Sequence, residues 1–188
     1  VIDAGQTVVA PGSPYPVGPH PEGYMFTWDQ GRELREYQVV YITRGSGVFE
    51  SRETGPREIA AGDLFLLFPS TWHRYRPDRS IGWDEHWIGF SGVYADRLMS
   101  SFFTPQNPIL QVGRDDELVR LIRSATHLMQ SSPPGYRQMM AGNTIAALAR
   151  ARGLAMREHS AIGNQESRMD RARHFLLVHA AEDVDLDR

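Results

Sequence analysis

Five consecutive apolar residues, Leu64-Phe65-Leu66-Leu67-Phe68, stand between Gly62-Asp63 and Pro69. A run this short reads as a strand, and apolar side chains on both of its faces require cover on both sides. The same grammar recurs from Tyr24 to Phe90. Short β-prone runs are predicted at Tyr24–Trp28, Tyr37–Thr43, Val48–Ser51, Glu58–Ala60, Leu64–Phe68, His73–Arg76 and Trp83–Phe90. Between them stand Gly31, Gly45-Ser46-Gly47, Gly55-Pro56, Gly62-Asp63, Pro69, Pro77-Asp78 and Gly82, residues that supply turns or stop a ladder. Many short strands at near-regular spacing predict a mainly β sandwich, jelly roll or small barrel. Gly45-Ser46-Gly47 reads as a hairpin turn, not a phosphate loop, because no helix follows it.

Helices are expected afterwards, and they supply the second cover. Asp115 to Gln130 spaces Leu118, Ile122, Ala125 and Met129 along one face, with Asp115, Asp116 and Glu117 where the helix dipole favours acids. Ser131-Ser132-Pro133-Pro134-Gly135 ends it, and Tyr136 to Glu158 forms a second helix with Met139, Met140, Asn143, Ala147, Leu148, Ala151 and Leu154 on a broad stripe. Five of the twelve prolines lie in the first 21 residues, so residues 1–22 read as an arm. Residues 159–166 read as a linker around Gly163, and a further helix is expected from Ser167 to His179.

Composition narrows the function. The chain has no cysteine, which excludes a disulfide scaffold, a thiolate metal site and a cysteine nucleophile. No H-x-H pair and no G-x-S-x-G elbow occur, so neither a metal site nor a cofactor nor serine catalysis is expected. A net charge of -3 argues against this stretch reading nucleic acid by itself. No apolar run is long enough to span a membrane, and a cytoplasmic location is expected.

Chemistry concentrates between Trp72 and Trp87, which holds three of the four tryptophans with His73, Tyr75, Glu85 and His86. Alternation in Trp83–Phe90 puts Trp83, Glu85 and Trp87 on one face and Asp84, His86, Ile88 and Phe90 on the other. In the strand ending at Arg44 it groups Gln38, Val40, Ile42 and Arg44. If both groups face the barrel interior, they line a pocket of aromatic planes with one guanidinium and one carboxylate. That set suits a small polyhydroxylated or carboxylated ligand. Taken alone, an inward Trp or Tyr is more often ordinary core, and an Arg at a strand end is more often solvated or ion-paired. His73 reads as a hydrogen-bonded pocket or rim histidine.

The blocks Tyr41-Ile42-Thr43-Arg44-Gly45-Ser46-Gly47-Val48, Ala61-Gly62-Asp63 through Pro69, Trp72-His73-Arg74-Tyr75 and Trp83 through Phe90, followed by the helix pair, resemble the regulatory domain of AraC-family transcription regulators. The resemblance implies a cupin-like jelly roll over residues 23–158 that binds a small effector, sugar-like or a small acid. It assigns ligand contacts to Arg44, Tyr75 and Trp87, with Trp87 as stacking plane; Trp83, from the alternation, and His73, from the cluster around it, are further candidate ligand contacts. Glu85 stands where the resemblance implies a ligand-contacting His, a carboxylate that demands hydroxyl or cationic partners and argues against arabinose itself. An arm around Ser13 and Tyr15 closing over the ligand is also implied, as is a homodimer through Met139, Met140 and Asn143. Arg150 falls where the family has a Leu in that helix. Residues 167–188 resemble the start of a helix-turn-helix domain, so DNA contact belongs to a missing C-terminal part. The alternatives are a metal-dependent cupin enzyme, an isomerase or dioxygenase, and a sugar-binding module with no regulatory role.

Overall fold

The computed structural model describes residues 1–18 and 26–178, with side chains to Glu158. Seven strands precede or interleave with three helices: β1 (Asp3–Val9), β2 (Tyr37–Ser51), β3 (Gly55–Ala60), β4 (Asp63–Leu67), β5 (His73–Pro77), β6 (Trp83–Phe90), α1 (Val93–Phe102), β7 (Ile109–Gln111), α2 (Asp116–Ser131) and α3 (Tyr136–Val178). Pairing is antiparallel throughout, in the order β1-β6-β2-β4-β7, with β3 and β5 both paired to the far half of β2. The expected mainly β fold followed by helices is what forms.

The architecture turns on β2. Its first half pairs with β4 and β6 and its second half with β3 and β5, so one strand serves two sheets and makes the barrel corner. Gly45-Ser46-Gly47, expected as a turn, is that corner and lies within the strand. Gly45 has φ 83°, and a Cβ there would strike the Gly82 carbonyl; only glycine permits the approach.

Two other expectations change. Residues 3–9 are not a loose arm, because β1 pairs with β6 from Asp3 opposite Gly89 to Val9 opposite Trp83. The prolines begin only at Pro11, after the ladder ends. The helix from Tyr136 runs unbroken to Val178, through the segment 159–166 expected as a linker. One glycine costs about 1 kcal/mol in a helix, and without a proline beside it Gly163 does not stop the run. Tyr24 and residues 179–188 lie outside the described residues, so the strand start at Tyr24 and the end of the expected helix-turn-helix segment do too.

Two apolar clusters result. Val39, Tyr41, Leu64, Leu66, Ile88 and Phe90 on one sheet face meet Leu118, Ile122 and Ala125 of α2 and Met140, Leu148 and Ala151 of α3. Inside the barrel, Val40, Ile42, Phe65 and Leu67 meet Phe26, Phe49, Tyr75 and Trp83. Leu64–Leu67 is covered on both faces, one by helix and one by sheet. α2 starts where Asp115 Oδ1 accepts from Leu118 N at 2.8 Å, a side-chain cap.

Candidate ligand-binding site

The barrel interior holds a small chamber lined by Asp3, Tyr15, Pro16, Phe26, Arg32, Gln38, Val40, Tyr75, Glu85 and Trp87. β6 delivers Glu85 and Trp87 by the alternation its sequence predicts. β2 delivers Gln38 and Val40 in the same way, and β5 delivers Tyr75 between the outward Arg74 and Arg76. With Asp3 from β1, the chamber thus draws on four strands, the arm and the loop before β2.

Arg44 is absent from it. The β2–β6 register slips between Ile42 and Arg44, leaving Thr43 as an extra residue, so Ile42 faces Glu85 and Arg44 faces Asp84. The bulge turns Arg44 to the outer side, where it forms a two-point pair with Asp84 at 3.0 and 2.9 Å and remains half exposed. Alternation fails there because an inserted residue flips every later side chain.

The guanidinium in the chamber belongs instead to Arg32. Its Nη2 donates to the Tyr75 hydroxyl at 2.6 Å and its Nε to His73 Nε2 at 3.3 Å, and its plane lies over the rings of Phe26 and Tyr75, 4.8 and 5.5 Å from their centroids. Because His73 Nε2 accepts, its proton sits on Nδ1 and is donated to the Thr71 carbonyl at 2.9 Å. Arg32 is held by a bridge to His73 (N to O 2.9 Å each way), and its loop by Trp72 Nε1 donating to the Gln30 carbonyl. Trp28 lies under Arg74 and Arg76, 4.4 and 3.9 Å from the ring centroid. Gly31, at φ 62°, has no room for a Cβ against Trp72. Sequence reading missed Arg32 because residues 26–36 form no regular strand, so no periodicity points there. Asp3 was missed for want of any local signal. Its Oδ2 accepts from Trp87 Nε1 at 2.7 Å and sets the edge of that ring.

Of the other expected contacts, Tyr75, Glu85 and Trp87 line the chamber. Trp83 and His73 sit one layer behind, fully buried. Trp83 packs on Tyr15 and Tyr75, and His73 stacks parallel to Tyr75 at 6.2 Å. Trp83 Nε1 has no hydrogen-bond partner among the described residues. Burial dominates the titrations. It raises the Glu85 carboxyl to about 7 against the opposing Tyr15 hydrogen bond and Arg32 charge, and it lowers His73 to about 4 against its bond to the Thr71 carbonyl. Tyr15 and Tyr75 are both raised by burial, Tyr75 with Arg32 opposing. Arg32 and Glu85 therefore give the chamber one guanidinium and one carboxyl that exchanges its proton near neutrality, between aromatic faces.

The expected dimer residues divide. Met140 is buried in the core, and Asn143 Nδ2 donates to Ser124 Oγ of α2 at 3.0 Å, so both face inward. They share the stripe of Thr144, Ala147, Leu148 and Ala151 that packs on the body. Only Met139 is exposed, at 53%. Arg150 is engaged within the protomer, its guanidinium clamped on the Asp115 carboxylate at 2.6 and 2.7 Å. Among the described residues no three His, Cys, Asp or Glu gather to hold a metal ion, and no helix is long and apolar enough to cross a membrane.

The chain is 31% identical over 84 residues to the raffinose operon transcriptional regulatory protein RafR of Pediococcus pentosaceus, covering 44% of this chain and 30% of that protein. It is 34% identical over 84 residues to the Msm operon regulatory protein of Streptococcus mutans, covering 43% and 28%. It therefore spans less than a third of the length of either relative. Among solved structures, a cupin 2 conserved barrel domain protein from Salinispora arenicola aligns at TM-score 0.32 and 20% identity over 51% of this chain and 68% of that one. Oxalate decarboxylase of Bacillus subtilis at pH 4.6 aligns at 0.28 and 17% over 43% and 19%. Residues 15–142 match the AraC-like ligand binding domain, and the chain belongs to that family of regulator domains.

Proposed function

We propose that this chain is the effector-sensing and dimerising part of an AraC-type transcription regulator, with the barrel chamber as its sensor and a neutral sugar-like molecule or small acid as effector. The observation that carries the reading is the convergence of Arg32, Glu85, Gln38 and Asp3 on Trp87 and Tyr75 in one buried chamber. A planar fork, acceptors of both charge states and aromatic faces match a ligand with hydroxyl edges and apolar ring faces. The operon regulators with which it shares sequence support the regulatory role, and one of them is named for raffinose. Such a domain acts in the cytoplasm, through DNA contacts made outside residues 1–158. Differential affinity of the ligand for two placements of the arm or helices provides the switch.

Dimerisation is assigned to the face of α3 opposite its buried stripe. Met139, Gly142, Ile145, Ala146 and Ala149 lie exposed there at three- and four-residue spacing, with open space above Gly142. Sedimentation over a concentration series is expected to show a dimer that Ile145→Asp converts to monomer; a monomer in the unaltered chain at tens of micromolar defeats this part. For the sensor, a thermal-shift panel of raffinose, neutral mono- and disaccharides and small carboxylates is expected to give at least one stabilising compound whose effect Trp87→Ala abolishes.

A further inference from the structure

The chamber is already occupied. Its remaining cavity is about 50 Å³, room for a water or two, where small-molecule pockets run to roughly 300 Å³ or more. Tyr15 fills it. The ring meets Phe26 and Trp83 edge-on at 6.3 and 5.8 Å and tilts against Tyr75 at 6.0 Å, while its hydroxyl donates to Glu85 Oε2 at 2.9 Å. Tyr15, Phe26 and Tyr75 also wall an open groove on the outer side, so Tyr15 is the partition between chamber and surface.

Resting on the reading of the chamber as the effector site, we propose that Tyr15 is an internal stand-in for the effector: a ring that brings a hydroxyl donor to Glu85 takes the same seat, and the two exclude each other. A lid over bound ligand needs space beneath the lid, and the chamber has none with Tyr15 in place. The arm beyond β1 therefore moves when ligand enters, while the β1–β6 ladder and the Asp3–Trp87 bond remain available to hold the chain upstream. The seat also narrows the ligand class. A hydroxylated, uncharged ring satisfies Glu85 as Tyr15 does, whereas a carboxylate at that point faces both Glu85 and Asp3. Because Tyr15 competes, the apparent affinity of the native protein falls by the fraction of molecules whose seat is vacant.

Calorimetric titration of the intact chain and of Tyr15→Ala with p-cresol, the free tyrosine side chain, tests this directly. Tyr15→Ala is expected to bind one p-cresol at least about tenfold more tightly than the unaltered protein, and about tenfold more tightly than toluene or 4-methylbenzoate. Equal affinity of p-cresol for the two proteins, or toluene equal to p-cresol, overturns the proposal. Tyr15→Phe keeps the ring in its seat and is expected to exclude p-cresol as the native chain does; binding as tight as in Tyr15→Ala overturns it as well. A sugar that stabilises the native protein is expected to bind Tyr15→Ala more tightly. Weaker binding makes Tyr15 a lid contact, which overturns competition but leaves the pocket standing, whereas a sugar response that survives Trp87→Ala removes the pocket itself.

Discussion

β2 and β6 each serve two apolar compartments by alternate residues, and the two compartments are built differently. On the helix side, Leu64, Leu66, Ile88, Leu118 and Ile122 are sealed, and the buried hydroxyls of Tyr41 and Thr144 are closed by backbone: Tyr41 donates to the Gly113 carbonyl at 2.7 Å and accepts from Asp115 N at 2.9 Å, and Thr144 donates to the Met140 carbonyl at 2.9 Å. Inside the barrel, the polar atoms of Glu85, Tyr75 and Trp87 are satisfied by side chains of Tyr15, Arg32 and Asp3. Those partners come from the arm, from β1 at the sheet edge and from a loop. Polar groups closed by backbone are permanent, and polar groups closed by side chains from peripheral segments are exchangeable. The first arrangement stabilises the domain; the second leaves a place where a ligand can substitute for protein.

The largest way to break this contrast is to open the sealed side. Ile122→Ala is expected to lower unfolding free energy by about 3–5 kcal/mol in urea denaturation, with p-cresol binding to Tyr15→Ala unchanged in the double variant. A loss of binding alongside would show that the compartments are not separate.

Next comes the Glu85 carboxyl, whose pKa rises on folding from 4.5 to about 7. The folded state holds this proton more tightly, so its stabilisation is complete below pH about 4.5 and is lost as pH rises towards 7, by about 3 kcal/mol in all. His73 runs the other way. Lowered from 6.5 to about 4, it contributes fully above pH about 6.5 and loses its contribution as pH falls towards 4. Between about 4.5 and 6.5 the two slopes oppose. Glu85→Gln is therefore expected to leave only the rising His73 limb and to gain stability relative to the native chain at pH 8; parallel pH profiles in the two proteins would contradict the assignment.

Gly5→Ala follows. A Cβ there would overlap the Trp87 ring where β1 crosses it, so about 1–3 kcal/mol of stability and a shifted tryptophan emission are expected. Native-like values for both would mean that β1 does not press on the chamber. The smallest effect belongs to Arg44→Ala, which removes an exposed pair with Asp84 and should leave stability near native and ligand response intact. Loss of response there would return Arg44 to the site.

How much of this was legible in the sequence follows the same divide. Regular elements were readable: the alternation of Trp83, Glu85 and Trp87, the α2 stripe and the doubly covered Leu64–Leu67 all appear as expected. Of the chamber, Glu85 and Trp87 were legible by alternation. Its arginine was not, because a single inserted residue at Thr43 removes Arg44 and a non-periodic loop supplies Arg32. Asp3 and β1 were hidden by the prolines that follow them. The inward turn of Met140 and Asn143 was ambiguous for another reason: both faces of α3 carry apolar residues, and packing against α2 decides which one is buried.

The chain's four tryptophans offer the most direct measurement. Trp83 and Trp87 belong to the chamber region, while Trp28 and Trp72 stack with Arg74 on the outer side of β5. Indole N–H resonances of ¹⁵N-labelled Tyr15→Ala, followed by NMR during titration with p-cresol, report all four at once. Trp83 and Trp87 are expected to move together and saturate while Trp28 and Trp72 stay in place; shifts confined to Trp28 and Trp72 would contradict a ligand seat inside the barrel.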